Sequence, residues 1–289
     1  MSAVLVQRLG ETLLFDCGEG TQRQMMRYGT GFAVHDIFFT HMHADHLLGL
    51  PGLLRTMGLQ GREEPMRLYC ARGEKRIVDE AVHLGVERVP FPVSIHELRP
   101  GGAVQRDGYE IVAFRTRHGR HSLGYALVEH DRLGRFDPER ARELGVPEGP
   151  LFGRLHRGEA VEVDGRTVGP DEVVGPARPG RRIVYSGDTR PIDATVEHAA
   201  HADLLIHEAT FAEEEADRAR ETEHSTAREA AVVARDAGAR RLVLTHISPR
   251  YGMDPSVLEQ EARAVFPGAV VARDGMEIEI PYPDADAPG

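Results

Sequence analysis

The chain is poor in cysteine, in lysine and in long apolar runs. Its 289 residues include only two cysteines, Cys17 and Cys70, and neither stands in a metal-type pair. That excludes a disulfide framework and fits a reducing cytoplasm, with Cys17 read as a core residue on an apolar strand. No apolar stretch approaches the roughly twenty residues that a transmembrane helix needs, and no signal-peptide pattern opens the chain, so no membrane partner is expected. Lys75 is the only lysine, so arginine supplies nearly all the positive charge, a usage that suits phosphate contacts and that GC-rich coding also produces. No internal repeat and no break in composition divides residues 1–289, which are expected to form one domain with a large core.

The net charge is −11. A chain this acidic binds nucleic acid only if its cations are gathered locally. Carboxylates crowd at Glu213-Glu214-Glu215 and at Asp284 and Asp286, whereas Arg154, Arg157, Arg178, Arg181 and Arg182 fall together. Most of these arginines lie in the one stretch that leaves the strand-and-helix rhythm, residues 130–180. Rich in Gly, Pro and charge, it is too long for an ordinary connection and reads as a functional excursion or a linker.

The densest chemistry is Thr40-His41-Met42-His43-Ala44-Asp45-His46, which follows the apolar Ile37-Phe38-Phe39. Its His and Asp groups cannot share one helical face, so a loop leaving a buried strand is expected. Imidazoles and a carboxylate suit zinc or a similar divalent ion, and so dense a cluster can serve two. Further ligands stand at the ends of other strand-like runs: His118 after Ile111–Phe114, Asp188 after Ile183–Tyr185, His246 after Leu242–Leu244. A lone Asp or His after a strand is ordinarily a turn or surface residue; the repetition of one pattern four times is what points to a site.

The ordered set His41, His43, Asp45, His46, His118, Asp188 and His246 resembles the metal signature of the metallo-β-lactamase superfamily. The surrounding segments Phe15–Gln22, Tyr185–Thr189, His207-Glu208-Ala209-Thr210, Glu223-His224-Ser225-Thr226 and Leu244-Thr245-His246 resemble ribonuclease Z, the tRNA 3′-end processing family. The resemblance runs from about residue 4 to about residue 275. It implies an α/β fold, the four-layer αββα sandwich with an inserted flexible arm at 130–180. It also implies two Zn²⁺ per chain, one on His41, His43 and His118, the other on Asp45, His46 and His246, with Asp188 bridging; Mn²⁺ or Fe²⁺ suits the same ligands. His118 rather than His121 fits because the family's ligand lies six residues before a Gly-aromatic pair, here Gly124-Tyr125. His121 is left as a second layer or surface residue.

The implied activity is cleavage of precursor tRNA after the discriminator nucleotide, leaving a 3′-hydroxyl. Asp45 would ligate and also orient the attacking water, while Glu208 and His224 would form the acid pair for the leaving oxygen. His207, on the opposite face of an alternating strand, reads as structural. The arm would grip the tRNA, with the family's Gly-Pro element at Gly149-Pro150 and cations at Arg154 and Arg157, and the family works as a homodimer. Relative to the family pattern the N-terminus is expected to be short by a strand and a recognition loop. Two other readings stand beside this one: a small-molecule phosphodiesterase or arylsulfatase on the same fold, and an inactive RNA-binding protein.

Overall fold

The computed structural model describes residues 1–85 and 88–282. The described residues divide into two units, Met1–Leu127 with Arg182–Ile280, and Val128–Arg181 with Pro281 and Tyr282.

In the first unit, alternation of period two along the strands decides the layers. β1 (Val4–Arg8), β2 (Glu11–Phe15), β3 (Asp36–Phe38), β4 (Met66–Ala71) and β5 (Val93–Leu98) form a sheet in that order. On β2, Leu13 and Phe15 enter one buried cluster and Leu14 another; on β3, Phe38 goes with the first and Ile37 with the second. The second cluster also holds Leu50, Leu53, Leu54 and Met57 of the helix Leu50–Leu59, and Val78, Ala81 and Val82 of the helix Lys75–Val82. Helices therefore cover this face of the sheet.

The other face meets a second sheet. β6 (Ala103–Arg106), β7 (Tyr109–Arg115) and β8 (Leu123–Glu129) come before the second unit, whose hairpin is β9 (Val161–Val163) and β10 (Arg166–Val168). β11 (Arg182–Tyr185), β12 (Leu204–Glu208), β13 (Leu242–Thr245) and β14 (Val270–Val271) come after it. The sheet order is β14-β13-β12-β11-β8-β7-β6. Tyr109, Ile111, Tyr125, Tyr185, Ile206 and Val243 pack against Phe15, Phe38 and Tyr69 of the first sheet. Phe38 stacks on Tyr69 with ring centroids 4.4 Å apart, and its complete burial is worth roughly 1.5–3 kcal/mol. Val184, Leu205, Leu242 and Leu244 on the far face are buried beneath the helices Asp193–His198, Ala227–Asp236 and Ser256–Arg263. Helix, sheet, sheet, helix is the αββα sandwich that the resemblance implies.

β2, β3 and β4 run parallel, as do β11 to β14. Parallel strands gather their C-terminal ends at one edge, and the polar residues that follow those ends meet there. Close approach is needed at this edge: a Cβ on Gly49 would lie 2.0 Å from the Gly18 carbonyl, and one on Gly18 would lie 2.2 Å from the Asp45 carbonyl. Gly49 also separates the single turn Ala44–Leu47 from the helix Leu50–Leu59.

Thr226 caps the helix Ala227–Asp236, accepting from the Glu229 N–H, and Ser225 donates to the Thr189 carbonyl. Beyond β14, Ile278 and Ile280 pack on the core between the sheets without forming a strand.

The second unit has a small core of its own. Ala141, Val146, Leu155, Val161, Val168 and Val173 are buried together, with Phe136 and Phe152 packed against them. Two short helices, Pro138–Glu143 and Pro150–His156, and the β9–β10 hairpin frame it. The stretch is thus folded, not a structureless linker. Nor is it basic: ten carboxylates face eight arginines between residues 130 and 180. Arg154 and Arg157 share Glu159 at 2.9 and 3.6 Å, and Arg181 forks onto Glu129. Of the arginines expected to gather, Arg154, Arg157 and Arg181 are thus in ion pairs, while Arg178 and Arg182 donate to the Leu133 and His198 carbonyls.

Candidate metal and acid site

The carboxylate of Asp188 lies at the centre of five imidazoles. Its Oδ2 is 3.2 Å from Nε2 of His246, 3.3 Å from that of His46, 3.7 Å from that of His41 and 3.9 Å from that of His118, and 4.0 Å from Nδ1 of His224. Ligand-capable atoms of His41, His43 and His118 lie within 4.8 Å of one another, as do those of Asp45, His46 and His246. The structure thus brings together all seven residues of the expected set, in the two expected halves. His41–His43 is loop, but Asp45 and His46 sit on the single turn Ala44–Leu47.

Each ring is held from behind. Nδ1 of His41 lies 3.0 Å from the Thr40 hydroxyl, Nδ1 of His46 2.8 Å from Asp16 Oδ2, and Nδ1 of His246 2.9 Å from the Thr210 hydroxyl; Nδ1–H of His118 donates to the Glu223 carbonyl at 3.0 Å. This leaves Nε2 of all four facing inward. His43 offers Nδ1 instead, 3.1 Å from Nε2 of His118. Outer partners of this kind fix the tautomer and orientation of metal-binding imidazoles. His41 Nε2, His46 Nε2 and Asp188 Oδ1 are buried and have no hydrogen-bond partner. Buried ligand-capable atoms that converge without partners of their own fit divalent cations. The His/Asp cluster is capable of binding metal.

The electrostatics agree. Burial, aided by His46, pushes His41 down to a pKa of about 2, so the ring is neutral, as a ligand must be. Burial opposes ionisation of Asp188, yet His246 and His46 outweigh it and hold the carboxyl well below its usual range. Burial also opposes a charge on His46, but Asp16 behind the ring and Asp188 before it raise its pKa to about 11, so a cation that takes Nε2 must displace a proton held between two carboxylates.

Beside this cluster, Nδ1 of His224 lies 2.8 Å from Oε1 of the fully buried Glu208. Burial would raise the Glu208 pKa, but its bond to His224 lowers it further, so the carboxylate stays charged. Thr189 N–H and the Thr210 N–H and hydroxyl also donate to it. His207 is buried on the opposite face of β12 and touches none of these groups; its Nδ1 lies 2.7 Å from the Glu208 carbonyl oxygen. His121 is exposed, at the turn around Gly73. Gly149, in a left-handed conformation at φ 129°, precedes the helix that carries Pro150 and Arg154, with Arg157 just beyond its end.

Three contributors were not nominated from the sequence. Asp16 obeys the same pattern as Asp188, a carboxylate within three residues of the end of a buried strand, and that pattern could have found it. Thr210 stands in a segment that the resemblance covers. Glu223 acts through its backbone carbonyl, for which no residue type is a signal. Asp16, Glu223 and His246 all adopt left-handed conformations, at φ 59°, 58° and 54°, which are uncommon for residues other than glycine and cluster at functional sites.

Comparison with known proteins accords with this geometry. Residues 172–247 match the family model described as beta-lactamase superfamily domain, and residues 1–134 match that of the anti-Pycsar protein Apyc1. Ribonuclease Z of Gemmatimonas aurantiaca is 59% identical over 100% of this chain and 93% of its own length; that of Haloferax volcanii is 58% identical over 100% and 92%. The crystal structure of human tRNase Z, short form, superposes with a TM-score of 0.69 at 30% identity, covering 97% of this chain and 92% of the human one. With a site of this geometry and relatives this similar along its whole length, the chain belongs to the ribonuclease Z family of the metallo-β-lactamase superfamily.

Proposed function

We propose that the chain is a metal-dependent endoribonuclease that cuts precursor tRNA after the discriminator nucleotide, releasing the 3′ trailer and leaving a 3′-hydroxyl. The observation that carries this reading is the joining of two half-sites at Asp188 with the Glu208–His224 pair beside them, in a chain 59% identical to a ribonuclease Z. His41, His43 and His118 would hold one ion and Asp45, His46 and His246 the other, with Asp188 shared. Zinc suits the nitrogen-rich set, and Mn²⁺ or Fe²⁺ is compatible with it. Bound divalent ions lower the pKa of water and neutralise charge building on the phosphate.

The residues do the rest. Asp45, whose Oδ2 lies 3.0 Å from Nε2 of His246, is half-exposed and able to accept a hydrogen bond from the attacking water. As the water oxygen bonds to phosphorus, the bond from phosphorus to the sugar 3′-oxygen breaks. His224, its Nδ1 engaged by Glu208, has Nε2–H left to give to the departing oxygen, a step typically worth about 10²–10⁴-fold in rate. The second unit, through Gly149, Pro150, Arg154 and Arg157, would hold the tRNA body. The enzyme would act as a homodimer in the cytoplasm, in keeping with two buried, unbridged cysteines; among the described residues no helix is long and apolar enough to cross a membrane.

The test is cleavage of a precursor tRNA bearing a 3′ trailer by zinc-loaded protein, resolved to the nucleotide, beside His43→Ala. A single cut after the discriminator, lost in the variant, is expected. Hydrolysis of a small diester without any tRNA cleavage would instead assign the site to a small-molecule phosphodiesterase.

A further inference from the structure

Arg190 stands two residues after Asp188 and is no part of the ligand set. Its guanidinium, 13% exposed, makes a fork on the carboxylate of Glu229: Nη1 donates to Oε2 at 2.7 Å and Nη2 donates to Oε1. Nη1 also donates to the backbone carbonyl of His224 at 2.6 Å. Glu229 is itself fixed, because it accepts the Thr226 N–H at 2.9 Å within the capping box of the helix Ala227–Asp236. From the other side, Ser225 donates to the Thr189 carbonyl at 2.6 Å, and Thr189 N–H donates at 2.9 Å to Glu208 Oε1, the same oxygen that faces Nδ1 of His224. Residues 189 and 190 thus hold both the backbone of His224 and the carboxylate against which its ring lies.

Helix stability does not require this arrangement. The capping box is complete with Thr226 and Glu229 alone, and withdrawing an ion pair from water is weak evidence of net stabilisation. What the fork adds is fixed geometry, because guanidinium and carboxylate meet in two parallel bonds. His224 needs such fixing. It sits in the short connection between the helices Ala216–Glu221 and Ala227–Asp236, after Glu223 in its left-handed conformation. A proton donor on a loop is displaced easily, and a shift of about 1 Å can cost on the order of 10²-fold in rate.

We propose that Arg190, braced by Glu229, is the positioning residue that sets His224 for proton donation to the leaving 3′-oxygen. The proposal rests on the reading of His224 as the acid. It adds that this acid is aligned through its backbone by Arg190 as well as through its ring by Glu208.

The test compares two precursor tRNAs that differ in one atom at the scissile bond, the natural 3′-oxygen and a bridging 3′-sulfur. Sulfur leaves as a thiolate and needs no proton, so a variant that has only lost alignment of the acid recovers on it. Arg190→Lys keeps the charge but not the fork, and Glu229→Gln keeps an acceptor for the cap but not the paired carboxylate, so both preserve the fold. On the oxygen substrate kcat should fall between about 10- and 100-fold with KM unchanged, and on the sulfur substrate both variants should match the parent enzyme. Equal loss on both substrates, or no loss on either, overturns the proposal. His224→Ala is measured alongside: if sulfur fails to rescue it, His224 is not the acid and the proposal falls with that reading. If sulfur rescues His224→Ala but not Arg190→Lys, the acid stands and the positioning role alone is wrong.

Discussion

Asp16 and His46 are both fully buried, and Oδ2 of the aspartate lies 2.8 Å from Nδ1 of the imidazole. The same carboxylate accepts the Thr40 N–H at 2.8 Å and the Tyr185 hydroxyl at 2.9 Å. One side chain at the end of β2 therefore ties together the ends of β3 and β11 and faces one half of the metal site. Asp16→Asn keeps the shape and removes the charge. Loss of an outer-layer carboxylate of this kind typically costs about 10–100-fold in metal affinity. We expect that loss in competition with a chelator, with the protein still folded by far-ultraviolet circular dichroism; undiminished affinity would show that Asp16 serves only the strand ends.

Asp188 gives a prediction in stoichiometry. His43 belongs to one half of the site and His246 to the other, whereas Asp188 reaches rings of both. His43→Ala and His246→Ala should each lose one of two ions, and Asp188→Ala should weaken both. Metal-to-protein ratios after dialysis against a metal-buffered solution decide this, and a retained ratio of two in Asp188→Ala would remove it as the shared ligand.

Much of this was legible because local pattern and chemistry coincide. An apolar strand followed within three residues by His or Asp marks β3, β7, β11 and β13 and points to His41, His118, Asp188 and His246 as residues of one edge. Glu208 is different: as the last residue of β12 it is recognisable only through the segment around it. What stayed hidden lacks such a signal. β5 has the half-exposed sequence Val-Ser-Ile-His-Glu-Leu, and β14 is two residues long; both exist because a neighbouring strand offers an edge, a tertiary cause that propensity does not contain. The break at Gly49 follows from the backbone of Gly18 passing 2.0 Å from where its Cβ would be, an approach between segments well separated in sequence.

The two thiols yield a pH prediction. Burial pushes Cys17 up to a pKa of about 12, only partly offset by a hydrogen bond with Thr21, and burial with Glu97 and Glu74 nearby pushes Cys70 up to about 12. A pKa raised on folding means that the unfolded chain releases these protons first. The stability they contribute is whole below about pH 9 and is lost as pH rises toward 12. At pH 8 both should be unreactive toward a disulfide reagent in the folded protein, and both should react once denaturant is added. Rapid labelling of either thiol under native conditions would contradict the packing around it.

The ion pairs of the second unit lead to the least intuitive expectation. Arg154 and Arg157 both lean on Glu159, and all three are exposed. Exposed pairs contribute little to stability, so Glu159 acts chiefly as a competitor for any phosphate that approaches the two arginines. Glu159→Gln should therefore tighten tRNA binding, most visibly at low salt, without a change in melting temperature. Arg154→Ala with Arg157→Ala should weaken binding and flatten the salt dependence by about one unit for each phosphate that is no longer neutralised. Binding isotherms at several salt concentrations separate the outcomes. If Glu159→Gln and the double variant leave affinity and salt slope alike unaltered, these arginines do not face RNA and the second unit must hold the tRNA through other residues.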